Sequence, residues 1–249
     1  MMTIDDLLDK YRRAAYSERD KGARFEELAR RFLLTYPPYL GKFESVWLWN
    51  EFPFRKDFSG KDTGIDLVAK TIDGDWWAVQ CKCYQKSARM DKPAVDSFLA
   101  TSGKSFIDEN GKTVHFSNRL WIATTNKWNS EAQKALEHQQ PPVSRIGLSD
   151  LQNAAVDWEK LDKGISGKEA VRKSRELLPH QRTALEKASG YFKHHDRGKL
   201  IFACGTGKTF TSLKMAEQEC GDHGFVLFLV PSIALLAQSL SEWSVFAEA

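Results

Sequence analysis

The chain has 249 residues, with Lys+Arg 36 against Asp+Glu 33, a formal charge of +3. Hydrophobic residues at 42% and charged residues at 28% supply a core and exclude disorder over most of the length. The near-neutral balance means that any affinity for nucleic acid must come from local patches. No apolar run nears the ~18 residues that cross a membrane, and the N-terminus has no signal-peptide character. Four cysteines at this length form no disulfide framework, and Cys81 and Cys83 lack the second pair a zinc site needs. A cytoplasmic protein is expected.

In chain order, residues 3–20 read as a charged helix. In residues 22–35, Phe25, Leu28, Ala29, Phe32 and Leu33 recur at helical spacing, and Tyr36-Pro37-Pro38 ends the helix. Strands are expected at 45–52, 64–69 and 76–84, with a hairpin-type turn at 72–75. A helix at 92–102, a buried strand at 119–125, a helix at 130–138 capped by Ser130, a short strand at 145–148 and a helix at 149–161 follow. The pattern predicts an α/β fold with three segments: a first domain over 1–160, a polar linker over 161–176 and a second domain over 177–249.

The strand Val79-Gln80-Cys81-Lys82-Cys83 carries the first chemical signal. Alternation puts Gln80 and Lys82 on one face and the two cysteines on the other, toward the core. Asp66 lies on the preceding strand, where a hairpin brings it beside them. A carboxylate and an amide oxygen are hard ligands suited to Mg²⁺. A lysine nearby can orient or deprotonate a water, or stabilise charge developing on a phosphate. Asp66 and Lys82 read equally as a plain cross-strand ion pair on a solvated face.

Further residues fall in a recognisable order: Phe25-Glu26, Asp62-Thr-Gly-Ile-Asp66-Leu-Val, Gln80-Cys-Lys82-Cys-Tyr84, and the strand Ile122-Ala-Thr-Thr125 with its Ala-containing helix. Together they resemble the Mrr-like branch of the PD-(D/E)-x-K nucleases over roughly residues 20–155. The resemblance implies a mixed sheet flanked by helices and metal-dependent DNA cleavage. It makes Asp66 the metal-binding aspartate, Lys82 the catalytic lysine and Glu26 the helix glutamate that completes the site. Gln80 takes the usual acidic position, a Q-x-K variant with one fixed negative charge fewer, which weakens the case for two metals. Glu27 is the alternative to Glu26, and helix geometry does not choose between them. Trp47, Trp49, Trp76, Trp77 and Trp121 can stack bases, but alternating aromatics more often pack a core. Arg12, Arg13, Arg30, Arg31, Arg55, Lys56, Lys86 and Arg89 would form a DNA track only if they cluster around Asp66.

The second signal is Lys199-Leu-Ile-Phe-Ala-Cys-Gly205-Thr206-Gly207-Lys208-Thr209, a strand entering a glycine-rich turn and then a helix to about Cys220. Such a loop wraps phosphates with backbone N–H groups. Lys208 reaches the β- and γ-phosphates, and Thr209 can ligate Mg²⁺. Phe202 departs from the strict Walker pattern, and the form resembles superfamily-two helicases and restriction-enzyme motors. In that resemblance Leu178-Pro-His-Gln181 is a Q-motif, with Gln181 reading the adenine edge of ATP. Leu229-Val-Pro-Ser232 looks like motif Ia, touching the DNA backbone, or else a plain strand–helix connection capped by Ser232.

The order of nuclease, linker and truncated RecA-like P-loop segment resembles the N-terminal part of type ISP single-polypeptide restriction–modification enzymes. No D-E-x-H strand, motif III or second lobe occurs before Ala249, so ATP turnover and translocation are expected only of a longer protein. The implied partners are double-stranded DNA and ATP, with Mg²⁺. Double-strand cutting would take two copies, joined by dimerisation or by meeting motors. The alternative is an ATP-binding motor fragment whose nuclease-like domain only binds DNA or partners. A small P-loop kinase is weaker, because no acceptor-pocket signature is present.

Overall fold

Thr3 opens the first helix with a reciprocal cap. Its hydroxyl accepts from Asp6 N at 3.1 Å, and its own N–H donates to the Asp6 carboxylate at 2.9 Å. That helix, α1, covers Ile4–Ala14, and α2 covers Glu18–Thr35. The computed structural model describes residues 2–58, 64–172, 176–202, 206–221, 224–230 and 233–247. It divides the chain into two units, Met1–Val171 and Arg172–Ala249. The single helix expected over 3–20 is broken, and α2 starts earlier than residue 22. The reason is Ser17, whose hydroxyl accepts from Asp20 N at 3.1 Å and caps a new helix. The apolar stripe of α2 is buried as its spacing requires: Phe25, Leu28, Ala29, Phe32 and Leu33 all lie in the core.

Among the described residues seven strands follow: β1 Phe43–Leu48, β2 Leu67–Thr71, β3 Trp76–Lys82, β4 Ser105–Ile107, β5 Thr113–His115, β6 Asn118–Ala123 and β7 Val143–Ile146. Five of them make one sheet in the order β1-β2-β3-β6-β7, antiparallel from β1 to β3 and parallel from β3 to β7. In the β2–β3 hairpin Leu67 faces Val79, and across the parallel pair Gln80 faces Trp121. The hairpin β4–β5 was not anticipated; its strands are three residues each and carry little pattern.

The helices α3 Lys92–Ser102 and α4 Ser130–Leu136 pack on one sheet face, with a core of Phe52, Val68, Trp76, Ala78, Phe98, Phe106 and Trp121. The opposite face is covered by α1, α2, α5 Leu148–Asn153 and α6 Trp158–Asp162, around Leu67, Ala69, Trp77, Val79, Cys81, Leu120 and Ile122. So β3 is buried on both faces from Trp76 to Cys81.

Some local expectations differ from the structure. Asn129, rather than Ser130, caps α4, accepting from Ala132 N at 2.7 Å. The helix expected over 149–161 is two helices, because Asp157 accepts from the backbones of Glu159 and Lys160 and restarts the turn. Residues 163–171 belong to the polar stretch 161–176 expected as a linker. They close the first unit instead: Asp157 N donates to Ala170 O at 2.8 Å, Gly167 N donates to the buried Thr35 hydroxyl at 2.9 Å, and Ala170 is in the core.

In the second unit the described helices are α7 Pro179–Phe192, α8 Lys208–Cys220 and α9 Ile233–Phe246. The strand expected to lead from Lys199 into the glycine-rich loop is not formed by the described residues Lys199–Phe202, nor is one before Ser232 formed by Gly224–Val230. Ile201, Phe225 and Leu229 there are more than four-fifths exposed. Among the described residues no helix is long and apolar enough to cross a membrane.

Gly64 enters β2 with φ +65°, and a Cβ there would lie 2.8 Å from Phe98 N in α3. Gly64→Ala is therefore expected to lower stability by about 2–4 kcal/mol, from the left-handed backbone and the collision together. The urea midpoint should fall at unchanged slope. Gly41, at φ +74° with no atom within 4 Å of its Cβ position, isolates the backbone cost: Gly41→Ala should lose about 1–2 kcal/mol.

Candidate functional site

Asp66 sits at the mouth of the β2–β3 hairpin. Its N–H donates to Val79 O at 2.9 Å, and its carbonyl accepts from Trp49 N at 2.8 Å, so its backbone is tied to both neighbours. Its carboxylate oxygen Oδ2 accepts from Cys81 N at 2.7 Å and also from Gln80 Nε2. Gln80 is 1% exposed, not on a solvated face. Its Nε2 lies between two acceptors, the Asp66 carboxylate and Cys81 O at 3.5 Å, which sets the amide's orientation. The other end, Oε1, is buried and has no hydrogen-bond partner among the described residues. Lys82 follows at the strand end, half-buried.

Glu26 faces this group from α2. Burial is the main cause that pushes its carboxyl up to about 7. Repulsion from Asp66 adds to this, and Lys82 opposes it. Glu27 points elsewhere, paired with Arg30 at 2.8 Å and Arg31 at 3.4 Å. Of the two glutamates, Glu26 is the one that meets Asp66 and Lys82. Asp66, Gln80, Lys82 and Glu26 are brought together. Cys81 is fully buried beside them, its thiol pushed up by burial and by the carboxylates of Asp66 and Glu26. The Cys81 backbone N–H that holds Asp66 carried no sequence signal, since every residue but proline has one.

The tryptophans serve packing. Trp121 is fully buried, Trp76 and Trp77 nearly so, and Trp47 stacks on Trp76 at 5.8 Å. Several of the cations named from sequence have internal work: Arg30 pairs with Glu51 at 2.8 Å, Arg31 donates to Leu161 O, and Arg12 donates to Asp9 and to Tyr84 O.

In the second unit, Gly207 has φ +80° and turns the chain into α8. Lys208 Nζ donates to Phe202 O at 3.2 Å. Thr206 O accepts from Gln181 Nε2 at 3.1 Å, and His180 Nε2 lies 3.1 Å from the same oxygen. Gln181 is completely buried; it also donates to Gly207 O at 3.3 Å, and its Oε1 accepts from Leu178 N at 2.9 Å. The amide thus bridges the start of α7 and the loop residues Thr206 and Gly207. Thr209 is half-buried, and its carbonyl accepts from Trp243 Nε1 at 3.1 Å. Gly205, Asp62 and Ser232 lie outside the described residues.

Residues 34–168 match the family described as "Restriction endonuclease", and residues 174–249 match "Type III restriction enzyme, res subunit". The chain belongs to the restriction endonuclease family. Among solved structures it is similar to the ATP-dependent type ISP restriction–modification enzyme LlaBIII bound to DNA, at 35% identity and TM-score 0.57, over 100% of this chain. It spans 15% of that enzyme's chain. It also matches the MspJI restriction endonuclease in complex with a 27-mer oligonucleotide, at 17% identity and TM-score 0.32 over 60% of this chain and 29% of that one, a likeness too slight to carry weight. No curated protein matches. The restriction endonuclease domain is thus followed by a helicase-like segment, as the order of motifs implies.

Restriction endonucleases of this class imply a divalent metal, and the donors here suit one. The Asp66 carboxylate and the orphaned Gln80 Oε1 are hard oxygen ligands. Among the described residues no group of three or more His, Cys, Asp or Glu side chains is placed to hold a metal ion.

Glu26 yields a stability prediction. Its carboxyl lies near 7 in the fold against an ordinary value of 4.5, so folding takes up a proton between those values. Stability falls as pH rises from about 4.5 to 7. Glu26→Gln is expected to stabilise the metal-free protein at pH 8 by about 1–2 kcal/mol, a figure reduced for the water that still reaches the carboxylate. At pH 4 it should have little effect, and melting curves at both pH values check the sign.

Proposed function

We propose that the first unit is a Mg²⁺-dependent DNA endonuclease, and that the second begins an ATP-driven DNA translocase within a longer cytoplasmic restriction enzyme of type ISP. The observation that carries the reading is the convergence of Asp66, Gln80, Lys82 and Glu26 at one end of a buried strand hairpin. Asp66 and Gln80 would hold the metal. When bound, Mg²⁺ polarises the scissile phosphate and makes a bound water more acidic. The Cys81 N–H fixes the Asp66 carboxylate in place, so little reorganisation is needed on binding. Lys82 brings a cation to orient the attacking water or to meet charge developing on the phosphate. Glu26, with its carboxyl near 7, can take up a proton from that water at neutral pH. Substrate DNA is supported by the relative described as bound to DNA.

In the second unit, Gly205, Thr206 and Gly207 would wrap the phosphates of ATP. Lys208 would exchange the Phe202 carbonyl for the β- and γ-phosphates, and Thr209 would ligate the nucleotide's Mg²⁺. Gln181 holds the loop from behind. One site cuts one strand, so double-strand cleavage takes two copies, by dimerisation or by paired motors.

A binding-only role for the first unit has one observation in its favour: the Gln80 amide N–H occupies the Asp66 carboxylate, and a metal must displace it. Nicking of supercoiled plasmid separates the readings. With Mg²⁺ the wild type should nick, EDTA should stop it, and Asp66→Ala and Lys82→Ala should each lower the rate at least ~10²-fold with DNA binding retained. Equal nicking by both variants overturns the site. Cation-independent binding without nicking supports the binding-only role.

A further inference from the structure

Lys82 ends β3, and the chain runs directly into the loop Tyr84–Met90. Because β3, β6 and β7 are parallel, the loops after all three open at one edge of the sheet. Thr124 and Thr125, fully buried at the end of β6, pin this loop. The Thr124 hydroxyl donates to Tyr84 O at 2.6 Å. The Thr125 hydroxyl lies 3.2 Å from Lys86 O and 2.9 Å from Ala88 O. The loop ends by pairing with the next one, Met90 N donating to Lys127 O at 3.0 Å and Asn129 N to Met90 O at 3.1 Å.

Three carbonyls of the loop are thus turned inward, which leaves its side chains outward. Lys86, Ser87 and Arg89 are exposed, as is Lys127 on the facing loop. No acidic residue occurs from Lys82 to Met90. Lys86 pairs with Asp5 at 2.8 Å, with about half of its side chain in solvent. An exposed ion pair of that kind is worth little and exchanges readily for a phosphate.

We propose that this pinned loop, together with Lys127, is a phosphate clamp that grips the backbone of duplex DNA beside the bond addressed by Lys82. The proposal rests on the nuclease reading above. It assigns Lys86, Ser87, Arg89 and Lys127 to DNA contact, and it makes Thr124 and Thr125 positioning residues that hold the loop rigid. A backbone grip of this kind reads no base, so it acts on any sequence. The hydroxyl pins matter because a loop already ordered loses little entropy when DNA arrives.

The test is a salt titration of duplex binding, by anisotropy of a labelled oligonucleotide in EDTA. Each lost phosphate contact flattens the plot of log affinity against log salt by about 0.9. The variant Lys86→Ala/Arg89→Ala/Lys127→Ala is expected to flatten it by about 2–3 and to weaken affinity at least ~10-fold in ~0.1 M salt. Lys104→Ala/Lys112→Ala, exposed around the β4–β5 hairpin before β6, should match the wild type. Thr125→Val should weaken binding at unchanged far-UV circular dichroism, and Thr125→Ser should restore it. A wild-type slope in the triple variant, with the wild type binding duplex, overturns the clamp and leaves the nuclease reading standing. A wild type that binds no duplex overturns the nuclease reading itself.

Discussion

The arrangement depends on one constraint, the burial of β3 on both faces. Helices cover it from either side, so a polar side chain on this strand must be satisfied inside the protein or emerge at its end. Gln80 meets the first condition at one end of its amide, through the Asp66 carboxylate, and fails it at the other, where Oε1 has no partner among the described residues. Lys82 meets the second by reaching the strand terminus. A buried acceptor left open costs free energy, of order 1–3 kcal/mol. In the proposed metal site, a bound ligand would offset that cost.

The charges around it are balanced rather than neutralised. Asp66 accepts from a backbone N–H and an amide, both uncharged donors. Glu26 feels burial first and Asp66 second, and its carboxyl moves into the neutral range. A third carboxylate at position 80 would raise that repulsion further. Glutamine there gives up a fixed charge and gains a donor that locks Asp66 in place. One substitution thus connects the electrostatics of the site to its rigidity.

The second unit follows a different logic. Its order comes from helices and from the polar grip of Gln181 on Thr206 and Gly207. Its two apolar segments remain outside any sheet among the described residues, with Phe225 and Leu229 facing solvent. Helical turns satisfy their own backbone, whereas strands need neighbours, so the helices form and the strands do not. The loop between them is shaped from behind by a glutamine whose position after Leu-Pro-His suggested contact with a base.

Pattern and spacing alone gave the helix stripe of α2, the β2–β3 hairpin and the buried β6, and put Gln80 and Lys82 on one strand next to Asp66 on its neighbour. These are local or nearly local: periods of 3.6 and 2, and a turn that fixes its own register. Only the tertiary structure turned Glu26 toward Asp66 and Lys82 and paired Glu27 with Arg30 and Arg31, because that lies in which neighbours each meets across the fold. It alone carried the first unit through residues 163–171, where a buried Ala170 and one hydroxyl of Thr35 outweigh a polar composition. It alone turned Gln181 toward the loop and gathered the carbonyls of residues 84, 86 and 88 onto two buried threonines. Each of those outcomes depends on groups distant in the chain meeting at hydrogen-bond distance, and linear pattern does not encode such meetings.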